Sequence, residues 1–97
     1  MRIEIKRNGQ EILFGLVGRL DANTAPVLDK AIQDITSDIQ SLIFDLENLE
    51  YISSAGLRML LTAQKKMRGG GMKLRNVSSE VMEIFELTGF ADILAIE

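Results

Sequence analysis

Leu42-Ile43-Phe44-Asp45-Leu46-Glu47-Asn48-Leu49-Glu50-Tyr51-Ile52-Ser53-Ser54-Ala55-Gly56-Leu57 is the stretch that decides the fold. Its opening, Leu42-Ile43-Phe44-Asp45-Leu46, is a nearly continuous apolar run, as expected of a central strand covered on both faces. Glu47-Asn48-Leu49-Glu50 reads as a polar loop leading to Tyr51-Ile52-Ser53-Ser54. The period then changes. Leu57, Leu60, Leu61 and Met67 recur at helical spacing, and Gly69-Gly70-Gly71 ends the helix. A buried strand that passes through a loop into a helix is the building unit of an α/β domain.

The flanks repeat this unit. Upstream, Arg2-Ile3-Glu4-Ile5-Lys6 alternates polar and apolar, Asn8-Gly9 is a hairpin turn signal, and Ile12-Leu13-Phe14-Gly15-Leu16-Val17 is a more buried strand. Leu28, Ala31, Ile32 and Ile35 then form a helical stripe, with Asn23 or Thr24 as its cap and Pro26 in its first turn. Downstream, Met72-Lys73-Leu74-Arg75 alternates as a strand. Ser78 or Ser79 caps a third helix carrying Val81, Ile84 and Phe85, which Gly89 stops, and Ile93-Leu94-Ala95-Ile96 closes as a short strand. The expected fold is α/β: one domain over residues 1–97, an N-terminal β-hairpin and then alternating strands and helices on a mixed, mostly parallel sheet. In such sheets ligands and partners meet the carboxyl ends of the strands, here the loops over residues 19–24 and 47–56.

Composition narrows what that rim can do. The 97 residues hold no cysteine and no histidine, which excludes disulfides, thiolate chemistry, imidazole triads and imidazole metal ligands. A net charge of −3 without a basic cluster lacks the footprint of a nucleic-acid binder. No apolar stretch approaches a membrane span, and Met1-Arg2-Ile3-Glu4-Ile5-Lys6 has no apolar signal segment, so a cytoplasmic protein without a membrane role is expected. The free-standing length favours a monomer.

Ser53-Ser54-Ala55-Gly56-Leu57 stands where a helix begins, so a serine there serves first as an N-cap. The same place suits a phosphoserine, because free N–H groups and the helix dipole favour a dianion. A nucleophilic role lacks a nearby activating base. Gly69-Gly70-Gly71-Met72-Lys73 lacks the Gly-Lys-Ser/Thr ending of a phosphate loop. Asp21 and Asp45 are too few for a metal site. Asp21 fits a turn that bonds its own backbone, and Asp45 fits a functional rim. No catalytic residue, metal or cofactor is expected.

Gly18-Arg19-Leu20-Asp21-Ala22-Asn23-Thr24-Ala25 resembles a G-x-L-D-x-x-x-A segment, and Phe44-Asp45-Leu46 through Tyr51-Ile52-Ser53-Ser54-Ala55-Gly56-Leu57 resembles a strand, loop and phosphorylatable serine before a helix. Together they are similar to the STAS domain of bacterial anti-sigma factor antagonists, over essentially the whole chain. The resemblance implies binding to an anti-sigma factor that is also a serine kinase, and release of the sigma factor. It also implies phosphorylation by that kinase with its own bound ATP, and reactivation by a PP2C-type phosphatase. The acceptor maps to Ser54. The family often has Asp just before it, where this chain has Ser53, so Ser53 is the second candidate. The partner surface implied is Asp21, Asn23, Thr24, Asp45, Ser53, Ser54, Ala55, Gly56 and Leu57, on a rim also carrying Glu47 and Glu50. The alternative within the same fold is a STAS accessory subunit of a lipid-transport ABC system, docking on its ATPase.

Overall fold

A computed structural model describes residues 1–68 and 71–97. Strand β1 (Arg2–Asn8) turns back through Gly9 and Gln10 into β2 (Glu11–Leu20), pairing antiparallel with Asn8 opposite Glu11. A two-residue turn of this kind needs positive φ at its first position, and Gly9 sits at +62°. Helix α1 (Ala25–Gln33) leads to β3 (Ser41–Asp45), then β4 (Leu49–Ile52), α2 (Ser54–Met67), β5 (Met72–Arg75) and α3 (Ser79–Thr88). The sheet order is β1-β2-β3-β5, with β4 paired to β2 as well. All pairs other than β1–β2 are parallel, as the strand–helix alternation requires.

The long strand β2 organises everything else. Its first half pairs with β3 from Glu11 to Gly15, and its last residues pair with β4 from Gly18 to Leu20. Within the β2–β4 ladder the register shifts: Gly18, at φ +102°, opposes Leu49 and Arg19 opposes Tyr51, leaving Glu50 of β4 as the extra residue. The bulge bends β4, and the Ser53 N–H that follows it bonds the Leu20 carbonyl, so the loop after β2 meets the start of α2.

One face of the sheet is dry. Ile12, Phe14 and Leu16 alternate inward from β2, Leu42 and Phe44 from β3, and Met72 and Leu74 from β5. Leu28 and Ile32 of α1, Leu57, Leu60, Ala63 and Met67 of α2, and Val81 and Phe85 of α3 complete the same cluster. Phe14 and Phe44 meet edge-to-face across neighbouring strands, with centroids 5.7 Å apart. The other face carries half-buried Leu13, Gly15, Val17, Ile43 and Asp45.

Two expectations are corrected. Leu49 and Glu50 belong to a strand rather than a loop: Leu49 and Ile52 are buried while Glu50 and Tyr51 face out. That in-out-out-in pattern lacks the period of two that marks a strand, because Glu50 is an extra, unpaired residue of β4 in its ladder with β2. At the C-terminus the expected strand shrinks to one bridge, Leu74 to Ile96, after a 3-10 turn over Phe90–Asp92. Only Leu94 of that segment is buried. The glycine stop of α2 falls partly on Gly69 and Gly70, which lie outside the described residues; the helix itself ends at Met67.

Candidate functional site

Two loops meet beyond the carboxyl end of β2. The first is the turn after Leu20. Asp21 Oδ1 accepts the N–H groups of Asn23 at 3.0 Å and Thr24 at 3.1 Å. The Thr24 hydroxyl donates to the Arg19 carbonyl at 2.8 Å and accepts the Asp21 N–H at 2.9 Å. Thr24 is the N-cap residue of α1 by position, yet its side chain makes no capping bond. Asp21 is thus a turn-holding carboxylate, and Asn23 stands exposed at the tip.

Partial burial pushes the Asp21 pKa up, but the Thr24 and Asn23 N–H groups, the Thr24 hydroxyl and Arg19 outweigh it, leaving the pKa below 3.8. A depressed carboxylate pKa contributes stability above the unfolded value of about 3.9, lost as pH falls through the folded value. An NMR titration of the Asp21 carboxyl carbon is expected to have its midpoint below 3.8, and the Asn23 and Thr24 amide shifts should move with it. A midpoint at or above 3.8 would contradict the hydrogen-bonded turn.

The second loop delivers the serines. The Ser53 N–H donates to the Leu20 carbonyl at 2.9 Å, tying the two loops together. Ser53 has an extended backbone, and its hydroxyl accepts the Gly56 N–H at 3.4 Å, so it is the N-cap of α2. Ser54 is the first helical residue and is exposed; among the described residues its hydroxyl has no hydrogen-bond partner. Ser53→Ala is expected to cost about 0.5–1 kcal/mol in urea unfolding, whereas Ser54→Ala should leave stability within about 0.5 kcal/mol.

The remaining candidates separate. Gly56 and Leu57 are buried, so they form the seat of the helix instead of a contact surface. A Cβ on Gly56 would lie 2.7 Å from both Ile52 Cγ1 and Leu20 Cγ, which explains the glycine: the helix start rests directly on the ends of β2 and β4. Ala55 lines a shallow groove between α1 and α2, together with Ala22, Ala25, Pro26, Asp29, Arg58 and Met59. Asp45 is elsewhere. Its carboxylate accepts the Glu47 N–H and the Asn76 amide, both at 3.1 Å, and it lines a different cavity with Glu4, Lys6 and Arg75. Asp45 therefore does not join the surface around Ser54.

Two residues not singled out from the sequence do belong to this surface. Arg19 stacks over the Tyr51 ring at 4.3 Å, bracing the ends of β2 and β4. Arg58 is exposed one turn beyond Ser54, on the same face of α2. Its i+4 spacing from Ser54 was the available signal. Among the described residues, no group of three or more acidic side chains is placed to hold a metal ion, and no helix is long and apolar enough to cross a membrane.

Residues 2–97 match the STAS domain family. The chain is 30% identical to the anti-sigma-B factor antagonist of Bacillus subtilis, over 99% of this chain and 90% of that protein. Its fold is similar to that of an anti-sigma factor antagonist from Mycobacterium paratuberculosis, with TM-score 0.86 and 23% identity over 98% of this chain and 83% of the other. It is also similar to the phosphorylated form of the Bacillus cell fate determinant SpoIIAA, with TM-score 0.75 and 17% identity over 99% of this chain and 91% of the other.

Proposed function

The chain belongs to the STAS domain family, and from that premise we propose that it acts as an anti-sigma factor antagonist switched off by phosphorylation of Ser54. The observation that carries the choice of serine is the division of labour at the start of α2. Ser53 is engaged as the cap, and Ser54 presents to solvent a hydroxyl with no hydrogen-bond partner among the described residues. The named relatives support the partner class, an anti-sigma factor.

In this reading the unmodified surface around Asn23, Ser54, Ala55 and the α1–α2 groove docks on the anti-sigma protein and frees its sigma factor. That protein is also a kinase. Ser54 Oγ attacks the γ-phosphorus of ATP bound to the kinase; the Oγ–P bond forms, the bond to the ADP oxygen breaks, and the hydroxyl proton passes to a base of the kinase. The phosphate adds about −1.5 to −2 charge at neutral pH. It sits at a helix N-terminus, where free N–H groups and the dipole favour an anion, so the fold survives. A partner surface matched to a neutral hydroxyl meets a bulky, hydrated anion instead. A PP2C-type phosphatase hydrolyses the ester and restores binding.

Titration of the purified chain into the anti-sigma–sigma complex of its own organism tests the function. The expected result is displacement of sigma by the unmodified chain. Failure to bind the anti-sigma protein, with tight binding to an ABC-transporter ATPase, would overturn it in favour of the transport reading.

A further inference from the structure

Strand β1 is the outer strand of the sheet, and among the described residues it pairs with β2 alone. The direction of its spare hydrogen-bonding groups follows from the hairpin. A two-residue turn closes on a hydrogen-bonded pair, here Asn8 and Glu11, and such pairs alternate along antiparallel strands. Lys6–Leu13, Glu4–Gly15 and Arg2–Val17 therefore bond across the hairpin, and the N–H and C=O groups of Ile3, Ile5 and Arg7 point away from β2. On the helix-covered side of this edge, Ile5 is 55% and Val27 51% exposed, and the groove between them is lined by Ile3 and Ala31 with the Lys30–Asp34 ion pair at its side.

We propose that this edge is an interface between two copies of the chain, paired antiparallel about a two-fold axis through Ile5. The choice of occupant rests on charge and register. Bonding across the axis requires outward-facing residues to meet outward-facing residues, which leaves registers centred on Ile3, Glu4, Ile5 or Lys6. A centre on Glu4 or Lys6 opposes that residue to its own copy, a like-charge contact. A centre on Ile3 leaves the strand from Lys6 onward unpaired. A centre on Ile5, the middle of Arg2–Asn8, pairs the whole strand. It sets Glu4 against Lys6 of the second copy and Lys6 against its Glu4, and seats Ile5 on Ile5.

Charges on an edge strand ordinarily repel a second edge. Here opposite charges flank an apolar residue at equal distance, so the two-fold operation turns repulsion into a match. Ile5 and Val27 of both copies then close one apolar seam, and two sheets become one continuous sheet. The seam is small, which sets a weak, concentration-dependent dimer rather than the monomer that chain length suggests. None of the residues lining this groove lines the groove beside Ala55, so the dimer leaves the Ser54 surface open.

Sedimentation equilibrium of the full chain over a wide concentration range tests the proposal, with amide hydrogen exchange at each concentration. The expected result is a monomer–dimer equilibrium in which the Ile3, Ile5 and Arg7 amides become protected as concentration rises. Glu4→Lys or Lys6→Glu alone should raise the dimer dissociation constant about tenfold or more. Combining the two restores the opposite-charge pairs and should restore the wild-type value. Both sites are exposed, so circular dichroism is expected to report unchanged folding. A monomer at every concentration would overturn the interface. So would a dimer indifferent to the single reversals, or a double variant as weak as either single one.

Discussion

Ser54→Asp is expected to weaken binding to the anti-sigma protein by about a hundredfold or more, with the unfolding midpoint unchanged. The two halves of this result have separate causes. Binding fails because a carboxylate placed in a close, complementary interface must shed water against a partner surface matched to a neutral hydroxyl; like-charge or unpaired contacts there cost several kcal/mol. Stability holds because Ser54 is exposed, makes no hydrogen bond among the described residues, and occupies the first turn of a helix, where an anion is favoured. Ser54→Ala should bind as tightly as the unmodified chain and resist inactivation by the kinase. Isothermal titration with both variants separates the effects, and equal tight binding by both would contradict the switch.

Gly56→Val is expected to be the most damaging single change at the site, destabilising the chain by about 3 kcal/mol and lowering Tm by more than about 10 °C. The added Cβ alone would lie 2.7 Å from Ile52 Cγ1 and Leu20 Cγ, and 3.0 Å from Leu20 Cδ2. Leu20 and Ile52 are 0% and 2% exposed, so neither has anywhere to retreat. Relief comes by lifting the first turn of α2 off the strand ends, which moves Ser53 and Ser54 together. Loss of stability and loss of phosphate acceptance should therefore appear in the same variant, measured by thermal unfolding and by kinase assay at a temperature where the variant remains folded. A variant as stable as the parent would show that the helix does not rest on these residues.

Much of this architecture was legible in the residues. Alternation in Arg2-Ile3-Glu4-Ile5-Lys6 and the Asn8-Gly9 turn specify the hairpin, and the apolar run at Phe44 specifies a central strand; both are found there. What escaped was set by contacts between distant segments. Leu49 and Ile52 point inward together because Glu50 is an extra residue of β4 between its pairings with Gly18 and Arg19 of β2, which only the strand pairing reveals. Asp45 does end a central strand, but the sheet order sends its carboxylate to Asn76 and away from the α1–α2 groove. Spacing alone made Ser53 and Ser54 equivalent as caps. The extended backbone at Ser53, fixed by its N–H bond to Leu20, separates them. Arg58 carries no motif of its own, and only its position four residues after Ser54 places it on that face of α2.

Site-resolved phosphopeptide mass spectrometry tests the central claim most directly. The chain would be incubated with its anti-sigma kinase and ATP, then digested and mapped across Ser53 and Ser54. A single phosphate on Ser54, with Ser53 unmodified and kinase binding lost in step, is the predicted result. Phosphate on Ser53 alone, or none while the chain and kinase form a complex with ATP present, would contradict the assignment of Ser54 as the switch.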